Sequence, residues 1–179
     1  MGAVKWNQDI NAGQDWLANI NLLNSDATGR DITNHTIESK VKRHYKSASY
    51  KAVLTITVID EATGNVSLGL SAAQTAILKN GKWIYDVELT APPKLTVKDA
   101  TGTFGAGELI TGATSGATGL VLTHTDTNAT ITYTITSGTF AGTETINGTT
   151  FNATLVTNHG QLKDRVIEGY VTIRPEVTD

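Results

Sequence analysis

Between Gln14 and Leu22 the chain alternates Trp16, Ala18, Ile20 and Leu22 with Asp15, Asn19 and Asn21, and only Leu17 breaks the period of two. That period predicts a strand with one buried face. The stretch NSDATGRD, residues 24–31, ends it as a turn, because glycine relaxes the backbone and Asn, Asp and Ser bond locally. A second strand is expected over Thr36 to Lys42, with Ile37, Ser39 and Val41 on one face and Glu38, Lys40 and Lys42 on the other. Ala52 to Ile59 carry the strongest strand signal, in which Leu54, Ile56 and Val58 face one way and Thr55 and Thr57 the other. The turn DEATGN, residues 60–65, joins that segment to Val66, Leu68 and Leu70 as a hairpin.

Ser71-Ala72-Ala73-Gln74 reads as a capping box, in which serine accepts an amide proton and glutamine answers three positions later. A short helix follows and stops by Asn80-Gly81. Trp83, Tyr85, Val87 and Leu89 then alternate with Ile84, Asp86 and Glu88, which predicts a strand with an aromatic core face. Pro92-Pro93 cannot donate to a ladder and marks a boundary. At the far end Ile167, Val171 and Ile173 alternate with Glu168, Tyr170, Thr172 and Arg174.

The middle of the chain is built differently. TGTFGAGELITG at Thr101 to Gly112 returns as SGTFAGTETING at Ser137 to Gly148, 36 residues later, aligning Phe104 with Phe140, Glu108 with Glu144, Ile110 with Ile146 and Gly112 with Gly148. Ala117-Thr118 likewise aligns with Ala153-Thr154. Asp99 to Leu162 contain no lysine or arginine, so all 14 basic residues lie outside that segment. The expected fold is all-β: an antiparallel β-sandwich with a short helix, formed by residues 1–98 and 163–179, carrying an inserted β-domain over 99–162. One irregular sandwich spanning the whole chain is the alternative partition. The predicted sandwich core is Trp16, Leu54, Ile56, Val58, Trp83, Tyr85, Val87, Val171 and Ile173. In the insert, Phe104, Ile110, Phe140 and Ile146 should pack two hairpins or arcs together, with Leu120, Leu122, Ile131, Tyr133 and Ile135 completing the core.

Composition narrows the functional classes. The chain has 179 residues, 39% of them apolar, and no cysteine, so neither disulfides nor thiolate metal sites hold it. No run approaches the roughly 20 apolar residues that span a bilayer, and a soluble protein without membrane insertion is expected. A formal charge of −3 gives little steering toward nucleic acid, which is not an expected partner. The basic cluster Lys40, Lys42, Arg43, His44 and Lys46 reads first as a solvated strand end, with a subunit or phosphate contact as alternatives.

Candidate chemistry is sparse. His35, His44, His124 and His159 form no ligand spacing, and no P-loop or nucleophile elbow is present, so no catalytic, cofactor-binding or metal residues are expected. His124 with Asp126 is the one His–Asp pair, at a spacing common enough to arise by chance. Glu108 and Glu144 have the residue type of a glycosidase pair, but a hydrogen-bonded turn position that recurs because its geometry recurs is the expected reading. Threonines at 123, 125, 127, 130, 132, 134 and 136 form a polar strand face, whose hydroxyls are the expected place for a cell-surface glycan if one is bound. Asn128, Asn147 and Asn152 begin glycosylation-type triplets, a pattern too short to decide anything. Trp6 precedes the first clear strand and is the expected assembly contact.

Four segments resemble tailed-phage baseplate and receptor-binding-apparatus proteins, especially the amino-terminal β-sandwich of siphophage upper-baseplate proteins. They are AGQDWLANINL (12–22), GRDITNHTIESKVKR (29–43), GNVSLGLSAAQTAILKNGKWIYDVELT (64–90) and VIEGYVTIRPEVT (166–178). The glycine-rich middle resembles small β-modules of marine phage structural proteins, with their GE-x-I/V-TG-x-x-SGA phrases. The resemblance implies a nonenzymatic virion component of tail or baseplate, assembled in the host cytoplasm, whose partners are other virion proteins and copies of itself. A neck or capsid-decoration role, a carbohydrate-binding attachment module and, last, a polysaccharide hydrolase are the alternatives. The family supplies no catalytic residues to carry over. The sequence stops at Asp179 directly after the last resembling segment, so an adaptor or peripheral component is expected.

Overall fold

The computed structural model describes residues 3–125 and 130–175. The chain is mostly β with one short helix, and it divides into two compact units: the residues up to Thr90 with those from Lys163 onward, and Ala91–Leu162.

The first unit contains two sheets. The larger has five strands, β1 (Val4–Lys5), β2 (Gln8–Asn11), β4 (Thr36–Lys42), β7 (Gly81–Thr90) and β14 (Lys163–Arg174). Strand β14 lies antiparallel to β7, with Val171 opposite Trp83 and Ile167 opposite Val87, while β4 borders β7 on its other side. Both β1 and β2 run parallel to β14, so the expectation of a purely antiparallel fold is corrected to a mixed sheet. The cause is topological: the amino-terminal segment joins β14 from a remote part of the sequence, where no hairpin imposes an antiparallel direction.

The smaller sheet is antiparallel, in the order β3 (Trp16–Asn21), β6 (Asn65–Leu70), β5 (Thr55–Asp60). Helix α1 (Ala72–Ile77) follows β6 directly, and its capping box forms as its sequence dictates: Gln74 N–H donates to Ser71 Oγ and Ser71 N–H to Gln74 Oε1. The two sheets share one core, in which Leu54, Val66, Leu68, Leu70, Trp83, Tyr85, Val87, Val171 and Ile173 are buried. Trp6, Trp16 and Ile56 pack against it half-buried. Val58 does not belong to the core, being 40% exposed. It sits on β5, at the end of its sheet's strand order and beside the register shift between Val58 and Asp60. Leu54 lies just before β5, where its N–H donates to the buried Ser39 Oγ at 2.8 Å.

The second unit is a closed six-stranded barrel in the order β10-β11-β8-β13-β12-β9. Its strands are β8 (Lys94–Lys98), β9 (Leu109–Gly112), β10 (Thr118–Thr125), β11 (Thr130–Ser137), β12 (Thr145–Asn147) and β13 (Asn152–His159). Closure pairs every strand on both edges, which suits short strands that could not support an open sheet. The boundary placed at Asp99 shifts to Ala91, because Lys94–Lys98 pair with β11 and β13 inside the barrel. Within the first unit, Thr90 and Lys163 are cross-strand partners, so the chain leaves and returns at adjacent points. Such a junction lets a folded segment sit within another without stretching either.

The repeat shapes the barrel. Leu95 pairs with Ile131 and Thr111 with Asn147, and both pairs are separated by the same 36 residues as the repeated phrase. Two equivalent halves are therefore related by an internal two-fold whose axis passes through these pairs. The halves cease to match without a gap after Gly112 and Gly148. Gly119 stands opposite Ile110, and Ala153 opposite Ile146, so the second β-turn is two residues shorter and Ala153 corresponds to Gly119, not to Ala117. The interior contains Leu95, Val97, Phe104, Ile110, Val121, Ile131, Tyr133, Phe140, Ile146, Ala153 and Leu155. Leu120 and Ile135 face outward and Leu122 is only half-buried, because the inward parity of β10 runs through Ala117, Gly119 and Val121 and a register shift follows Val121.

Candidate functional site

Trp6 lies between β1 and β2, and its backbone is held from three sides. Its N–H donates to Glu168 O at 2.9 Å, its carbonyl accepts the Tyr85 phenol at 2.7 Å, and the next residue, Asn7, accepts the Tyr170 N–H at 3.0 Å through Oδ1. Burial raises the Tyr85 phenol well above its ordinary value, which keeps it a hydrogen donor. Gly169 makes this crossing feasible, since a Cβ there would overlap the Trp6 carbonyl. The Trp6 indole tilts against Trp16 with ring centroids 5.8 Å apart.

This anchored tryptophan borders a cleft of about 430 Å³ lined by β1, the end of β3 with the loop after it, and the start of β14. Val4, Trp6, Ile20, Leu22, Leu23 and Val166 supply its apolar surface. Arg30 and Asp164, in an ion pair of 2.7 Å, give it one charged wall. The rim loop is internally braced: Asn24 donates to Thr28 Oγ1 and Gly29 O, and Asp26 accepts from the N–H and hydroxyl of Thr28. Those hydroxyl and amide bonds hold the Asp26 carboxyl below its ordinary range. Val4 and Leu23 remain exposed beside the opening. An apolar concavity with one fixed ion pair is suited to a complementary apolar side chain or ring flanked by a polar group.

The acidic pair in the barrel has a different task. Glu144, only 5% exposed, accepts from Thr114 N–H and Ser115 N–H through Oε2 and from Ser115 Oγ–H and Ala141 N–H through Oε1. Burial pushes its pKa up, but these bonds from Ser115, Ala141 and Thr114 outweigh burial and hold it below the ordinary value. Glu108 reproduces the pattern in the other half, accepting from Gly105 N–H at 2.8 Å and Thr149 N–H at 2.5 Å. Each glutamate thus ties its own turn to the β-turn of the opposite half. Gly112 and Gly148 are part of the same device, because a Cβ on either would run into Glu144 or Glu108 respectively. The repeated phrase therefore encodes a core phenylalanine, a clamping glutamate, a core isoleucine and a glycine that admits the partner's carboxylate. A carboxylate saturated with donors and shifted downward is poorly suited to protonating a leaving group.

The other sequence candidates are dispersed. His35 contacts Thr33 O, His124 Nδ1 accepts the Phe104 N–H at 3.1 Å, and His159 contacts Thr96 Oγ1, while His44 is exposed. Asp126, Thr127 and the triplet beginning at Asn128 lie outside the described residues. Among the described residues no group of three or more His, Asp or Glu could hold a metal. Thr136 donates to Thr118 across the barrel face, and Thr123 stands opposite Thr132. In the basic cluster, Arg43 stacks over Trp83 at 5.1 Å and donates to Lys82 O.

Trp6, expected from the sequence as an assembly contact, lines the cleft together with Arg30 and Asp164, which the sequence did not single out. Their positions differ by 134 in the sequence, so no local pattern could have joined them. No known family pattern matches the chain, and no curated protein matches it.

Proposed function

We propose that this protein is a nonenzymatic structural adaptor of a tailed-phage virion, in its tail or baseplate, and that it docks on a neighbouring virion protein through the Trp6 cleft. The observation that carries this reading is the cleft itself: an apolar concavity with a backbone-anchored tryptophan, one ion pair and a pre-braced rim. Rigid aromatic anchors of this kind dominate protein interfaces because they bury large area at low entropic cost. The segments that resemble upper-baseplate proteins support the same direction, since they supply β3, β4, β6, α1, β7 and β14, the scaffold around that cleft. The two sheets sharing one core are then the docking sandwich of that family, and the barrel is its inserted module. In a symmetric particle each small interface is multiplied, so one cleft per subunit gives durable attachment. Assembly would take place in the cytoplasm of the infected cell.

Imaging purified particles with this chain assigned to density tests the proposal. The expected result is the protein at symmetry-related tail or baseplate positions, with a neighbour's apolar side chain beside Trp6. Particles that lack the chain, or a cleft open to solvent in the assembled particle, would overturn it.

A further inference from the structure

We infer that the outward face of the five-stranded sheet binds an acidic saccharide, in the pocket formed by β4, β7 and the loop after β4. The pocket measures about 270 Å³, and its wall includes Lys42, Tyr45, Ile84, Asp86 and Glu88. Strand register sets this face out in rows. Lys42, Ile84 and Tyr170 lie side by side across β4, β7 and β14, Lys40, Asp86 and Glu168 form the next row, and Glu38 stands opposite Glu88 in the one after. On β4 and β7 these residues alternate with the buried Val41, Tyr85 and Val87, so their side chains point away from the core.

Two features of this face do nothing for the sheet itself. The directly opposed Glu38 and Glu88 cost it stability, and they gather acceptors at one end. Toward the other end the sequence runs from Ser39 to Ile59 without an acid, while supplying Lys42, Arg43, Lys46 and Lys51. Among the described residues none of these four has a carboxylate within ion-pair distance, although Arg30, Lys40, Arg165 and Arg174 each have one. Arg43 also donates to Lys82 O, which brings a further lysine to the same end.

The ligand's chemistry follows from this polarity. Carboxylates at one end accept from hydroxyls, and cations at the other bind a carboxylate or phosphate. Between them Ile84 and Tyr45, the latter 65% exposed, offer an apolar surface to the C–H face of a ring. A saccharide with an anionic substituent presents all three. Duplex nucleic acid fits less well, since its evenly spaced phosphates would meet Asp86 and Glu88 as well as the lysines. The pocket adjoins the Trp6 cleft only at Arg165, and the inference does not rest on docking there.

The full chain applied to an array of neutral, uronate-, sialate- and phosphate-bearing saccharides, with duplex DNA alongside, tests the inference. The expected result is binding to one acidic class, which the array identifies, with neutral saccharides and DNA left unbound and binding weakened by added salt. Lys42→Glu and Tyr45→Ala, with folding checked by circular dichroism, should each weaken that binding by about tenfold or more. Absence of acidic-saccharide binding, equal binding of neutral saccharides or of DNA, or full affinity in the Lys42→Glu variant would each overturn it.

Discussion

The Oε2 atom of Glu144 lies 2.5 Å from where a Cβ on Gly112 would stand, so the glycine in one half of the barrel is the room that the other half's carboxylate requires. Gly112 does not have a positive φ, so alanine there is limited by space and not by backbone conformation. Gly112→Ala should destabilise the barrel by about 1–3 kcal/mol through overpacking. Glu144→Ala removes the clamp and the carboxylate contact but leaves Ser115 Oγ against the same Cβ position, so Gly112→Ala should cost less, though not nothing, in that background. A double-mutant cycle by urea denaturation checks this, and additive costs would mean the two residues do not share the space.

The pH dependence follows from the same carboxylate. Its folded pKa lies below the ordinary value of 4.5, so the unfolded chain binds the proton more readily in the interval between the two. Stability from Glu144 is therefore complete above that ordinary value and is lost as pH falls through the lower folded one. Glu144→Gln should be less stable than wild type at neutral pH and lose less on acidification. Thermal melts in buffers spanning that acid range would show the two curves converging.

Gly169→Ala should dislodge the amino-terminal strands, since its Cβ would overlap the Trp6 carbonyl. The expected outcome is faster amide exchange over residues 4–11 and a red shift in tryptophan fluorescence, while the barrel amides are unaffected. Unchanged exchange in β1 and β2 would mean that the crossing at Gly169 is not needed.

The tryptophans should separate by burial. Trp83 is buried and donates its indole N–H to Lys79 O at 2.7 Å, whereas Trp16 is half-buried on β3. Trp83→Ala should cost about 3–5 kcal/mol and Trp16→Ala less. Equal losses in denaturant titrations would contradict this ordering.

What the sequence reveals here is what is local. The Trp16–Leu22 alternation, the Ser71 capping box and the 36-residue repeat each act over short distances or by direct copying, and strand or helix period expresses them directly. Closure of the barrel was hidden, because it depends on Lys94–Lys98 pairing with partners 34 or more residues away. Val58 shows the same limit: its alternation marks a face as apolar, but whether that face is covered depends on which strand ends the sheet. The parity of Leu120 was lost to an irregular register, and the cleft to the sequence distance between Arg30 and Asp164. Recurrence at equivalent repeat positions pointed to a turn role for Glu108 and Glu144 over chemistry, but the donors reaching them from the opposite half, Thr149 N–H and Ser115 N–H, could not be named from the sequence.

The account depends on two separately cored β units, one carrying the cleft and one built by the repeat. Hydrogen exchange read by mass spectrometry on Trp83→Ala and Ile131→Ala tests this most directly, because each side chain is buried in a different core. The predicted result is that Trp83→Ala loses protection in β3, β6, β7 and β14 while the barrel strands keep theirs, and that Ile131→Ala does the reverse. Loss of protection across all strands to the same degree in both variants would contradict it.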